Sequence, residues 1–153
     1  MFCSECGKEM DGKAVVCIHC VPTVHPGIMS DATLDDEKYV NTIYSLLVDN
    51  INITFLGALS NAEISKEARE AIDGPDILFI PVGGRGVLDS KNAAKLASSL
   101  EPKLIIPMDY DTASLKAFLK EMGEENAEAV EKLTLKRKDL EGKEGEVMVL
   151  KQV

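Results

Sequence analysis

Two short apolar runs constrain this chain more than any other feature. Ile77–Val82 (ILFIPV) and Leu104–Met108 (LIIPM) carry no charged residue. Strands read this way when both of their faces are buried, as in the middle of an α/β sheet. Between the runs, DSKNAAKLASSL has the composition of a helix, with Asp89 or Ser90 as its N-cap. The unit is therefore strand–helix–strand. Upstream, YVNTIYSLLV and INITFLG read as two strands around a turn at Asp49-Asn50. SKEAREAI is a short helix stopped by Gly74-Pro75. Downstream, TASLKAFLKEMG places Leu115, Phe118, Leu119 and Met122 on one helical face and ends at Gly123. KLTLKRKDL alternates like a half-exposed strand, and GEVMVLKQV reads as a final strand. The order β-β-α-β-α-β-α-β-β predicts an α/β body with one mixed sheet over residues 37–153.

Three helices can cover only one face of that sheet. The two apolar runs demand cover on the other face as well. The body has few segments to spare, so the expected cover is another chain, most simply a second copy in a homodimer. The alternative is that the hairpin and the termini fold over that face.

The first 21 residues follow a different logic. Cys3, Cys6, Cys17 and Cys20 form two CxxC pairs, and no cysteine follows them. Two such turns brought together make a tetrahedral four-thiolate site suited to structural zinc. Some 20 residues cannot bury a stabilising core, so a bound metal would supply most of the folding free energy of this segment. Two disulfides are the alternative, one that a reducing compartment disfavours. FCSECGKEM and AVVCIHC resemble zinc-ribbon modules, although Val21 stands where a glycine commonly follows the second pair. His19 could replace a cysteine; His25 reads as a linker residue. Residues 22–36, PTVHPGIMSDATLDD, lack periodicity and read as a linker between domains.

The net charge of −9 argues against a general nucleic-acid binder, and a ribosomal or nucleic-acid partner for the ribbon ranks third among the functional readings. No apolar run reaches the roughly 18 to 20 residues that span a bilayer. The segment MFCSECGKEM lacks the features of a signal peptide, so a cytoplasmic location is expected.

The body resembles the C-terminal half of the metallo-β-lactamase superfamily, in the branch of zinc-dependent hydrolases that includes ascorbate-phosphate lactonase-like proteins. The residues carrying the resemblance are ITFLGALSN, DILFIPVGGRGVLDSKNAAKLASSLEPKLIIPMDYDT, LKAFLKEMG and VEKLTLKRKDLEGKEGEVMVL. The resemblance implies half of an αββα sandwich, which a homodimer could complete. It also implies where metal ligands would stand. The family's HxHxDH motif is absent, Ala58 occupies the position of a ligand Asp, and Asp109 in Pro107-Met108-Asp109-Tyr110 occupies that of a ligand His.

A hydrolytic zinc site needs about three protein ligands and an open position for water. The expectation is therefore a non-catalytic zinc-binding protein, a dimeric binding or scaffold module. Cys3, Cys6, Cys17 and Cys20 would hold structural zinc, and a further protein partner is possible. The alternative is a hydrolase remodelled at Asp109, Asp111 and Arg85, or one completed by a partner subunit. Asp111 is also the expected cap of the helix that starts near Thr112. PVGGRG reads either as an anion cradle with Arg85 or as a tight loop that needs small residues. Lys136-Arg137-Lys138 reads as an edge-strand face.

Overall fold

A computed structural model describes residues 41–151. The expected zinc ribbon and linker lie outside the described residues, as do Cys3, Cys6, Cys17, Cys20, His19 and His25.

The body begins with the expected hairpin, β1 (Tyr44–Val48) and β2 (Ile51–Phe55). Asp49 and Asn50 turn it with φ of 49° and 60°. This left-handed pair matches the strand twist, and Asp and Asn tolerate it better than other non-glycine residues. Helix α1 (Lys66–Ile72) starts at Ser65, whose hydroxyl accepts from the Ala68 N–H at 3.1 Å. The two apolar runs form β3 (Ile77–Pro81) and β4 (Leu104–Met108), joined through α2 (Ser90–Leu100). Helix α3 (Thr112–Met122) follows, and Gly123 closes it in a left-handed conformation.

The main sheet has the order β1-β2-β3-β4-β6, where β6 is Glu146–Val147. Only the β1–β2 pairing is antiparallel. The sheet is mixed, as expected. Two further short strands, β5 (Ala129–Val130) and β7 (Val149–Leu150), pair with each other in parallel. Gly-Glu-Val-Met-Val-Leu thus divides at Met148 between two sheets instead of forming one closing strand. The Met148 N–H donates to the Ile105 carbonyl at 2.9 Å, where the chain crosses over.

The helices lie on one face. Leu78, Ile80 and Ile105 pack there against Ile72, Leu96, Phe118 and Leu119. The opposite face carries Ile51, Ile77, Leu104 and Ile106. This is the face for which another chain was expected as cover. Over β3 and β4 the protein covers it with its own C-terminal stretch, through Leu133, Leu135, Leu140, Met148 and Leu150. The same stretch corrects the reading of KLTLKRKDL as a half-exposed strand. Among the described residues KLTLKRKDL pairs with no strand; it lies across the sheet and ends in a 3-10 helix, Arg137–Leu140. Its alternation comes from leucines that drop onto the sheet face, with Leu140 fully buried. The run Lys136-Arg137-Lys138 is accordingly not on an edge strand: Arg137 donates to the Asn50 carbonyl and lies 3.7 Å from the Asp76 carboxylate.

Asp76 ties the opening ends of the strands together. It is 8% exposed, accepts from the Asn52 N–H at 2.8 Å and pairs with the Lys103 ammonium at 2.6 Å. Burial pushes its carboxyl up. Lys103, the Asn52 N–H and Arg137 outweigh that effect and hold it below its ordinary value. Among the described residues, no helix is long and apolar enough to cross a membrane.

Candidate active-site corner

Because β2, β3 and β4 run parallel, their carboxyl ends open onto one edge of the sheet, where ligands of open α/β sheets gather. Three loops meet there. The loop after β3 is bound to the one after β4 by the Val82 N–H donating to the Met108 carbonyl at 3.1 Å. It is bound to the loop after β2 by the Leu88 N–H donating to Leu59 at 2.8 Å. Gly83 allows the closest approach. A Cβ placed on it would stand 2.1 Å from the Asp109 carbonyl oxygen, so no larger residue fits. PVGGRG is therefore a tight loop that needs a small residue, the second of the two expected readings. Asp109 itself has φ of 51°, a conformation that costs a non-glycine residue about 1–3 kcal/mol and that clusters at functional sites.

The three candidate residues Arg85, Asp109 and Asp111 come together. They line one open pocket of about 150 Å³, with Gly83, Val87 and Tyr110. Their roles differ. Asp111 is the N-cap of α3 in a reciprocal capping box with Ser114. Its carboxylate accepts from the Ser114 N–H at 2.8 Å and pairs with Arg85. The Ser114 N–H, the Ser114 hydroxyl and Arg85 together hold its carboxyl down at about 2. Such a group stays ionised and is a poor proton carrier near neutral pH. The Tyr110 hydroxyl donates to the Leu150 carbonyl at 2.8 Å, and burial pushes its pKa up. Asp109 is exposed.

Sequence reasoning missed Asn41. Its side-chain NH2 donates to the Leu56 carbonyl, and its side-chain oxygen accepts from the Ala58 N–H, each at 2.9 Å. It pins the loop that carries Ala58, and nothing in the local sequence marks it for that role. At the start of α2, the Ser90 hydroxyl donates to the Ser114 carbonyl at 2.7 Å and thereby joins the two helix starts behind the pocket.

The donor set at this corner, among the described residues, does not fit a hydrolytic zinc ion. Among the described residues, no three His, Cys, Asp or Glu side chains stand close enough to share a metal. The chain's two histidines and four cysteines all precede residue 41. Of the carboxylates at the corner, Asp111 is committed to the helix cap and Arg85. Asp109 is exposed and takes part in neither the cap nor the ion pair.

The mixed sheet with helices on one side and loops gathered at the carboxyl ends of its parallel strands is consistent with a metallo-β-lactamase-like fold. The chain matches the β-lactamase superfamily domain over residues 14–109 and belongs to that family. It is 39% identical over 49 residues to a UPF0173 metal-dependent hydrolase of Thermoplasma acidophilum, a match covering 32% of this chain and 22% of that protein. It is 46% identical over 41 residues to one from Carboxydothermus hydrogenoformans, covering 27% and 18%. A protein of Thermotoga maritima assigned as a Zn-dependent hydrolase of the metallo-β-lactamase superfamily superposes with a TM-score of 0.58 at 28% identity. That superposition covers 76% of this chain and 62% of the other. Igni18, a metallo hydrolase of Ignicoccus hospitalis, shares the fold at 19% identity and a TM-score of 0.50, over 84% of this chain and 47% of that one. The matches thus span about a fifth of the curated relatives and under two thirds of the Thermotoga protein.

Proposed function

We propose that this chain is a non-catalytic, zinc-binding member of its superfamily, a binding or scaffold module whose zinc sits on Cys3, Cys6, Cys17 and Cys20. The observation that carries this reading is the use of the carboxylates at the corner. Asp111 is locked into a capping box and an ion pair, Ala58 offers no ligand atom, and among the described residues no three metal-ligating side chains gather around the exposed Asp109. One carboxylate binds a divalent ion weakly and cannot also present an activated water. The four cysteines satisfy zinc by themselves and leave no open position for substrate.

The names of the relatives favour a second reading, a metal-dependent hydrolase whose site is completed by groups from elsewhere. The open pocket at Arg85 and Asp109 leaves room for such groups. Two measurements separate the readings. Metal analysis of the purified chain should return one zinc, lost on Cys3→Ser and retained on Asp109→Ala. Phosphodiester and lactone hydrolysis assays with added zinc or manganese should show no turnover. Robust turnover abolished by Asp109→Ala would overturn the non-catalytic reading.

A further inference from the structure

The main sheet leaves one apolar strip open. On the face away from the helices, the register aligns Tyr44 with Phe55, Leu46 with Ile53 and Val48 with Ile51. Tyr44, Leu46, Val48 and Phe55 remain 38–51% exposed, and Phe79 beside Phe55 is half-buried. On the helix side of the same strand, Leu47 is 74% exposed. Strand β1 ends the sheet, so its outer edge carries no strand among the described residues. An open edge flanked by apolar side chains on both faces is a liability that folded proteins cover.

We infer that the occupant is the chain's own segment Ala14–Val24, AVVCIHCVPTV, laid along β1 and over this strip. Four observations point to it. Eight of its eleven residues are apolar and none carries a formal charge, whereas residues 1–13 and 25–40 each hold several charged side chains. The superfamily match spans residues 14–109, so it includes this segment together with the strands of the sheet. The chain enters the structure beside the strip: Asn41 is pinned to Leu56 and Ala58, three residues before Tyr44. The 16 residues 25–40 can span up to about 50 Å, about three times the roughly 17 Å length of β1, so either direction of approach is within reach.

Area decides against the rival occupant, a second copy. Four side chains at this exposure present on the order of 300–400 Å². A stable interface buries about 800 Å² on each partner. The strip suits one short segment. The inference does not need zinc: in an extended segment Val16 and Ile18 fall on one face, the face that would meet the strip.

The chain has no tryptophan, so one introduced indole reports without background. Leu46→Trp in the full chain, with Phe55→Trp as a second probe should the first disturb folding, should emit in the blue and resist acrylamide quenching, in a particle that light scattering finds monomeric. Adding Val16→Asp and Ile18→Asp should shift the emission to the red and raise quenching severalfold. Full quencher access in the unaltered segment overturns the inference. So does a protected indole that ignores the two aspartates, and a dimeric particle would then identify the second copy as the occupant. Zinc content, measured in parallel, tests the cysteine assignment separately, because Cys3→Ser can empty the metal site without touching the strip.

Discussion

Replacing Asp76 with Ala should destabilise the body by about 2–3 kcal/mol. The Asn52 N–H, bonded at 2.8 Å, would lose its acceptor in a site only 8% exposed. An orphaned buried donor costs roughly 1–3 kcal/mol. The Lys103 pair, although 2.6 Å long, adds less, because its side chain is 37% exposed and solvent screens it; about 0.5–1 kcal/mol is reasonable. Arg137, at 3.7 Å and 55% exposed, adds little. Urea unfolding should show a lower midpoint with an unchanged slope, and the melting temperature should fall by roughly 6–10 °C for a chain of this size. The carboxyl is held below its ordinary value in the folded state, so its contribution is present above about pH 4 and is lost as pH falls further. The gap between parent and variant should therefore narrow in acid. A loss under about 0.5 kcal/mol at neutral pH, or a gap that widens in acid, would refute the reasoning.

Three further outcomes follow from other sites. Thr54 is fully buried and its hydroxyl has no hydrogen-bond partner among the described residues, so Thr54→Val should raise stability by about 1 kcal/mol in urea unfolding; a loss would show that the hydroxyl is bonded after all. Gly83→Ala drives a Cβ onto the Asp109 carbonyl and should cost about 1–3 kcal/mol while changing the NMR shifts of Asp109 and Tyr110; silence at those residues would contradict the close approach. The Asp111 carboxyl, depressed to about 2, should titrate by NMR well below the ordinary aspartate value of 3.8. It contributes stability above its ordinary 3.8 that is lost between about pH 4 and 2, and Ser114→Ala should move it back up.

Much of the corner was legible one residue at a time. Asp111 before Thr112 and Asp89 before Ser90 were readable as caps, because capping depends on a side chain and an N–H three residues apart. The positions of Arg85 and Asp109 followed from their places just beyond apolar strands. What no local signal showed was the use of each group. Asp111 is unavailable because Arg85, 26 residues away, reaches it. Asn41 holds the Ala58 loop across 15 residues or more.

The misreading of KLTLKRKDL has the same origin. Alternation reports that every second side chain meets an apolar surface. It does not report whether the backbone pairs within a sheet or crosses over one. The sequence by itself determined the two central strands, the helices that follow them and the caps, because periodicity, turn residues and capping act within a few residues of chain. Tertiary structure alone decided that Leu133, Leu135 and Leu140 cover the second face, that Asp76 gathers Lys103 and Arg137, and that no described segment covers the strip along β1. Those outcomes depend on which surfaces meet across tens of residues, and burial is a property of the assembled layers.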